Sequence, residues 1–384
     1  MRNFYFKFLI AFFLSLSMHS QTLDTLVDVG GYKMHFKIMK GEGTPILFDA
    51  GAGNDGSIWD NILDKIHKVT GTTLITYDRS GFGKSEVNPN LKNESDFGIL
   101  NGIKELETGL TKLGFNDEII LVPHSYGGFY TTLYTSRHPD KVKYVVRIDA
   151  NLIGFYTDDI LKLMKEKEVV PPKSAETLGF YYLVKTYPET VKILRKIDFP
   201  SNVPVIDIIS PIKGQHTDES FALMKKVHKD FVDAESNRLE IIAEGSGHYI
   251  FKDNPGLIIN TIIKAYSETL DENQQNVLLK KALDNAIELS IEAKKAEMEN
   301  LHSENDLNEW GYTFMGNEEL EKALEVFKLN TMLFPDSWNA YDSYGEALMK
   351  SNRKAEAIEM YEKSIKLNPE NENGKKAILQ MKQE

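Results

Sequence analysis

The chain contains no cysteine among its 384 residues. This absence excludes disulfide bonds, thiolate catalysis, cysteine-ligated zinc and a lipidated cysteine anchor. The net charge of −12 argues against a nucleic-acid partner, because phosphate backbones are bound by clusters of Lys and Arg. Polar low-complexity tracts are also absent, and a hydrophobic fraction of 41% is enough for buried cores. We therefore expect folded domains, and the length favours two of them.

The first twenty residues have the layout of a secretory signal peptide. Arg2 and Lys7 accompany the apolar run 8–16, which is too short to span a bilayer, and polar residues follow up to a possible cleavage site after Ser20. The alternatives are an uncleaved membrane anchor or a buried first helix. On charge and length we expect residues 1–20 to be a signal peptide. The protein would then be exported to the periplasm or beyond, with no stable membrane insertion after cleavage.

A serine flanked by small residues follows a strand-like apolar run. The run 119–122 leads through Pro123 to Ser125, and a helical pattern follows Gly127. This layout resembles the nucleophile elbow G-x-S-x-G, with Pro123 in place of the first glycine. In such a turn the serine hydroxyl stands clear of the sheet, and helix N–H groups point to the same spot and stabilise developing negative charge. Ser125 is therefore our candidate nucleophile.

Strand and helix patterns alternate from about residue 25 to residue 268. Short apolar runs of strand length are separated by segments with apolar residues at helical spacing. The predicted strands are 26–27, 32–38, 46–48, 73–77, 119–122, 142–148, 205–209 and 238–242. This alternation predicts an α/β fold, with a mostly parallel sheet covered by helices on both faces.

Three segments in this order resemble the α/β-hydrolase family: 50–52, 78–85 and 123–127. The resemblance covers residues 25–268 and implies a serine hydrolase that needs no metal or organic cofactor. Residues 151–200 break the strand–helix rhythm, and in this family such a segment forms a lid that sets substrate choice.

The resemblance also implies an oxyanion hole made of the backbone N–H groups of Ala52 and Tyr126. The family usually has a histidine in the loop after its early strand, where this chain has Ala50. Backbone donors do not depend on that side chain, so the loss is tolerable.

The resemblance places the catalytic histidine after the last strand, where His248 follows 245–247, Gly-Ser-Gly. The imidazole needs a carboxylate on its other nitrogen, but the family's usual acid position, 210–216, contains none. Two candidates remain: Asp149, at the end of the preceding strand, and Asp218, beside a helix N-cap. Some family members use the first position, and we favour Asp149, while the choice stays open.

The C-terminal part has a different composition and a repeat. Apolar spacing predicts a helical linker over 269–304, and residues 305–377 repeat with a period of 34 residues. The matching pairs are Gly311 and Gly345, Met315 and Met349, Ala323 and Ala357, Phe327 and Tyr361, Leu333 and Leu367, and Pro335 and Pro369. They resemble two tetratricopeptide repeats, which bind protein partners or self-associate. A purely structural appendage is the alternative.

The leading hypothesis is a secreted serine hydrolase that cleaves a small ester, amide or peptide, with an ester as the default for this family. Epoxide or haloalkane hydrolysis is disfavoured, because those relatives need a carboxylate at the position of Ser125. The alternative is a binding or scaffold protein that has kept the fold without turnover. Pro123, Ala50 and the missing acid after residue 209 motivate that alternative.

Overall fold

The structure is a computed structural model that describes residues 22–167, 169–214, 216–282 and 303–383. The chain divides into two compact units, Met1–Asn285 and Ala286–Glu384. The expected signal peptide and most of the second half of the expected linker lie outside the described residues. Within the described ranges, no helix is both long and apolar enough to cross a membrane.

The described part of the first unit contains one eight-stranded sheet, ordered β1-β2-β4-β3-β5-β6-β7-β8. The strands are β1 (Thr22–Asp28), β2 (Lys33–Met39), β3 (Ile46–Asp49), β4 (Leu74–Tyr77), β5 (Ile119–Pro123), β6 (Val142–Ile148), β7 (Val205–Ile209) and β8 (Arg238–Ile242). β2 pairs antiparallel with β1 and β4, and all other neighbours are parallel. The mostly parallel sheet predicted from the sequence is confirmed.

The central strands are buried on both faces, whereas the edge strand β1 alternates between exposed and half-buried residues. Every residue of β3, β4, β5 and β7 is buried. This is why these strands read as continuous apolar runs, while an edge strand shows alternation.

Along the chain, helices lie between the strands and after the last one. They are α1 (Asp60–Thr70), α2 (Ile99–Leu113), α3 (Gly127–Arg137), α4 (Asp158–Glu166), α5 (Leu178–Leu194), α6 (Asp218–Asp233), α7 (Ile250–Asp253) and α8 (Pro255–Ser267), with short 3-10 helices at Gly56–Trp59, Glu94–Phe97 and Ile153–Phe155. α2 ends at Gly114, whose φ of 84° only glycine adopts easily. The Asn254 side chain accepts a hydrogen bond from the Leu257 N–H and so caps α8.

α4 and α5 lie within the segment expected to form the lid. Thr157 caps α4 by accepting a hydrogen bond from the Ile160 N–H, and Asp158 and Asp159 follow in the first helical turn. α5 continues through Pro188, although proline removes one helical hydrogen bond. The loop between these two helices contains the Pro171–Pro172 pair.

The second unit contains five described helices. They are α9 (Glu304–Gly316), α10 (Leu320–Leu333), α11 (Trp338–Lys350), α12 (Lys354–Leu367) and α13 (Glu372–Gln383). A Cβ added to Gly311 would lie 2.4 Å from the Phe327 ring, and one at Gly345 would lie 3.1 Å from the Tyr361 ring. The repeated glycines thus let each helix pair approach closely around an aromatic side chain.

The sequence analysis did not identify α13 as a separate element. This helix packs on α12 and buries Ile378 and Met381. It covers apolar surface that the second helical pair would otherwise expose, as terminal helices of repeat proteins do.

Candidate active site

Ser125 lies in the sharp turn between β5 and α3. Its φ of 50° is in the left-handed region, which is unfavourable for a residue with a side chain. A Cβ on Gly127 would lie 2.6 Å from the carbonyl oxygen of Asp49, and a Cβ on Gly128 would lie 2.6 Å from that of Asn151. The turn therefore requires glycine at both positions, and the surrounding backbone holds the serine in its strained conformation.

The Ser125 side chain is available for reaction. The residue is half-buried, and within the described ranges its hydroxyl makes no hydrogen bond to another side chain or to the backbone. No direct hydrogen bond therefore joins it to His248 among the described residues. Catalytic hydrogen bonds are often long before substrate binds, so this does not exclude the pair.

His248 and Asp149 form a close pair at the carboxyl ends of the strands. Asp149 Oδ2 lies 2.6 Å from His248 Nδ1. The other carboxylate oxygen, Oδ1, accepts a hydrogen bond of 3.0 Å from the Ser210 N–H. Asp149 is largely buried, while 47% of the His248 side chain is exposed. The carboxylate can hold the proton on Nδ1, which leaves Nε2 free to act as a base.

The alternative acid, Asp218, lies elsewhere. It is the first residue of α6, its side chain is 92% exposed, and it pairs with Lys213 Nζ at 2.6 Å. Its position matches the role of a negative charge at a helix N-terminus. Of the two candidate acids, the structure brings Asp149 and not Asp218 into contact with His248.

The loop of Ala52 lies against the serine turn. A Cβ added to Gly51 would lie 3.1 Å from the Ser125 Cβ and 2.9 Å from His124 Nδ1. Among the described residues, neither the Ala52 N–H nor the Tyr126 N–H donates a hydrogen bond. Both predicted oxyanion donors thus have no acceptor among the described residues.

Sequence reasoning did not assign a role to Arg79, which fixes this loop. Its guanidinium donates to Asp49 Oδ1 at 2.8 Å, to the Ala50 carbonyl at 2.7 Å and to the Gly51 carbonyl at 2.5 Å. Because the C=O and N–H of a planar trans peptide point in opposite directions, the bond to Gly51 turns the Ala52 N–H away from Arg79. Arg79 therefore orients the Ala52 N–H, which is one of the two predicted oxyanion donors.

A second buried arginine, Arg147, holds the loop after Asp149. Its Nη2 donates to the carbonyls of Ala150 and Asn151, at 3.0 and 2.7 Å. Its Nε lies 3.3 Å from Asp207 Oδ1, and burial lowers the pKa of Arg147 while the Asp207 charge opposes that shift. A sequence signal did exist, because Arg147 and Asp207 interrupt otherwise apolar strands and pair in register.

Asp207 is shared with a buried histidine. His228 Nδ1 lies 2.6 Å from Asp207 Oδ2, and all three members of the Arg147–Asp207–His228 cluster are buried. Asp207 is therefore a structural partner, in agreement with its mid-strand position. Arg147, through its bonds to the Ala150 and Asn151 carbonyls, connects this cluster to the loop after Asp149.

His124 connects the serine turn to the loop of the candidate base. Its Nε2–H donates to the His248 carbonyl oxygen at 3.0 Å. Burial, aided by the nearby His248, lowers the pKa of His124 to about 3. His124 is therefore neutral near pH 7 and serves as a fixed donor.

The described residues contain no cluster of three or more side chains suited to a metal ion.

Comparison with known proteins supports the fold of both parts of the chain. Residues 44–184 match the family model described as alpha/beta hydrolase fold, and residues 338–371 match the tetratricopeptide repeat model. The Bacillus subtilis protein YqjL is 26% identical over 250 residues, which cover 63% of this chain and 91% of YqjL.

Two further matches are named as hydrolases. A proline iminopeptidase of Lactobacillus delbrueckii subsp. bulgaricus is 27% identical over 169 residues, 42% of this chain and 56% of the peptidase. The structure of a Vigna radiata epoxide hydrolase mutant, at 16% identity and a TM-score of 0.50, covers 64% of this chain and 99% of its own; at that identity the likeness concerns the fold alone. This chain therefore combines an α/β-hydrolase fold with a C-terminal tetratricopeptide region.

Proposed function

We propose that the protein is an exported serine hydrolase that cleaves an ester or amide through an acyl-enzyme at Ser125. The observation that carries this proposal is the Asp149–His248 pair, whose loop is hydrogen-bonded to the serine turn through His124. A strained serine, a histidine and a buried carboxylate at the carboxyl ends of β5, β8 and β6 form the arrangement needed to activate a hydroxyl.

The reaction would proceed in two halves. Nε2 of His248 takes the proton of Ser125 as the hydroxyl attacks the substrate carbonyl, and the Ala52 and Tyr126 N–H groups stabilise the oxyanion. The same proton passes to the leaving group, and the acyl-enzyme remains. Water then attacks the acyl carbonyl while His248 takes its proton, the bond to Ser125 Oγ breaks, and His248 returns the proton to Ser125 as the acid leaves. Asp149 orients the imidazole and stabilises its charged form throughout.

Esters are the preferred class within this proposal. An alkoxide is a better leaving group than an amide anion, so the demand on the proton donor is smaller. Amides and peptides remain within reach of the same steps. No step requires a metal or an organic cofactor.

The test is labelling of the purified protein with a fluorophosphonate, which reacts with activated serines. We expect labelling of the wild type and loss of labelling in Ser125→Ala and His248→Ala. Ser201→Ala, which removes an exposed serine hydroxyl far along the chain, serves as a matched control and should keep the label. Absence of labelling in a folded wild type would favour the scaffold alternative, and labelling that survives Ser125→Ala would disprove the assigned nucleophile.

Export and partner binding are separate parts of the proposal. Export rests on the sequence of residues 1–20, and N-terminal sequencing of the mature protein should find Gln21 first.

Partner binding or self-association through residues 305–377 rests on the repeat pattern and on the match at 338–371. Sedimentation of the intact protein, with and without cell extract from its source, checks the second part.

A further inference from the structure

An apolar cavity of about 270 Å³ lies beside the loop of Ala52. Its walls come from Ala52, from Leu161 and Met164 on α4, and from Phe180, Val184 and Tyr187 on α5. Lys165 also reaches the cavity, but the accessible lining is mainly apolar. Small-molecule sites are typically apolar clefts with a few polar groups that fix orientation, and here Ala52, whose N–H is a predicted oxyanion donor, borders the cavity.

Exposed apolar side chains mark the same place. Val169 is 83% exposed, and Met164 and Phe180 are 39% and 37% exposed. Apolar residues gathered around a cavity, rather than scattered singly, indicate a surface that another molecule covers. The cavity lies in the predicted lid segment, at the point where that segment meets the loop of Ala52.

The position of the cavity determines which half of a substrate it would hold. The leaving group must lie near His248, because the imidazolium protonates it. Among the described residues, the cavity is lined by Ala52 and by lid residues, and no lining residue belongs to the loop of His248. A group in the cavity is thus next to the oxyanion but away from the proton donor, which is the position of the acyl side.

We propose that this cavity binds the acyl chain of the substrate, and that the enzyme prefers esters of apolar carboxylic acids of short to medium chain length. This inference rests on the proposed serine hydrolysis. The volume of about 270 Å³ is slightly below the roughly 300–1,000 Å³ range of ligand pockets, which limits the chain that fits. Each methylene that enters should raise kcat/KM by about fourfold, since burial of one CH₂ is worth ~0.8 kcal/mol.

The experiment compares p-nitrophenyl acetate, butyrate, hexanoate, octanoate and palmitate with the full-length protein. We expect kcat/KM to rise with acyl length and to fall again for palmitate. A second series keeps the acetyl group and lengthens the alcohol, and there we expect little dependence on length. Alkylboronic acids, which bond to an active serine and place their chain on the acyl side, should inhibit with the same length preference.

Two matched variants test the cavity itself. Met164→Trp fills it, whereas Leu163→Trp makes the same kind of change at the neighbouring exposed residue of α4, which does not line it. We expect Met164→Trp to lower the octanoate-to-acetate ratio by about tenfold, the equivalent of one or two displaced methylenes. Leu163→Trp should leave the ratio unchanged.

The outcomes separate this inference from the function on which it rests. If Ser125 is labelled but kcat/KM does not depend on acyl length, or depends on alcohol length, the acyl assignment is overturned. The proposed serine hydrolysis is then unaffected. Equal effects of both tryptophan variants also overturn it. Absence of labelling and of turnover on all esters disproves the serine hydrolase and the acyl assignment together.

Discussion

Ser125 and Asp149 both have positive φ values, 50° and 43°, although neither is a glycine. Such conformations are costly and persist only where surrounding contacts impose them. The Asp149 N–H donates to the Ile208 carbonyl at 2.7 Å, and the Asn151 N–H donates to the Ser125 carbonyl at 2.8 Å. The two strained residues are thus tied into one backbone network, which fixes the direction of both side chains.

Replacing Asp149 by asparagine should abolish most turnover while the fold persists. Asparagine can present a donor to His248 Nδ1 and favour the wrong tautomer, and in a serine protease a loss of this kind lowers kcat by roughly 10⁴-fold. Steady-state ester hydrolysis measures the effect. Asp218→Asn removes a carboxylate that pairs with Lys213 on the surface, and should leave kcat unchanged. If the two variants exchanged these results, Asp149 would not be the acid.

His124 should make stability depend on pH. Its pKa is about 3 in the folded protein, lowered chiefly by burial, and near 6.5 in the unfolded chain. Between these values the unfolded chain binds the extra proton, so the free energy of unfolding falls as pH drops below about 6.5. The slope contributed is about 1.4 kcal/mol per pH unit at most.

Denaturant titrations between pH 7 and pH 4 measure this slope. His124→Gln keeps an N–H donor for the His248 carbonyl but does not titrate, so its stability should decline less steeply than that of the wild type. Identical slopes in the two proteins would show that His124 does not carry this effect.

At the scale of elements, two buried arginines connect the strand-end loops. Arg79, after β4, binds carbonyls of the loop after β3, and Arg147, near the end of β6, binds carbonyls of the loop that follows Asp149. Arg79 also lies over the Tyr126 and Tyr130 rings, at 5.5 and 5.4 Å from their centroids. Each arginine fixes the position of one loop of the site by donating hydrogen bonds to backbone carbonyls of that loop.

Arg79→Lys should lower kcat with little change in KM. Lysine keeps the charge opposite Asp49 but lacks the planar fork that binds two carbonyls and a carboxylate together. The Ala52 N–H then loses its fixed direction, and loss of one oxyanion donor costs up to about 10²–10³ in kcat. We expect a reduction toward the lower end of that range, since the donor is displaced and not deleted.

Arg137→Lys provides the control for that variant, because Arg137 pairs with Glu107 at the surface, away from the serine turn. It should leave both constants unchanged. A rise in KM with constant kcat for Arg79→Lys would indicate that Arg79 acts in substrate binding, and would contradict its role in positioning the Ala52 N–H.

At the scale of the whole molecule, the two compact units have separate cores. The core of the second unit includes Met315, Phe327, Tyr344, Tyr361 and Ile378. Gly311 and Gly345 hold equivalent places in it, each facing the aromatic ring of its own helical pair. Two repeats bury little surface by themselves, so the close approach at each glycine and the additional helix α13 matter for stability.

Gly311→Val should unfold the second unit at lower temperature without changing ester hydrolysis. An added Cβ would lie 2.4 Å from Phe327, and overpacking of this kind costs about 1–3 kcal/mol. Calorimetry of the intact protein measures the shift of the corresponding transition. Gly316→Val is the control, because nothing lies within 4 Å of a Cβ at that position. Equal destabilisation by both variants would contradict the role of the glycine contact.

The sequence determined the fold class and the eight strands, because these depend on patterns within a few residues. It determined the repeat region through a period of 34 residues. Continuous apolar runs specify strands buried on both faces, and a serine between a strand and small residues specifies the sharp turn. Ser125 could be proposed in the same way, because it follows a local strand signal, whereas His248 was proposed from the resemblance to the α/β-hydrolase family.

Only the tertiary structure decided which carboxylate meets His248. Asp149 lies 99 positions away along the chain, and the contact depends on how the ends of β6 and β8 are placed across β7. The partners of Arg79 and the cavity beside Ala52 are likewise products of packing between distant segments. No local pattern encodes such distances, because they follow from the closure of long loops and from the order of strands in the sheet.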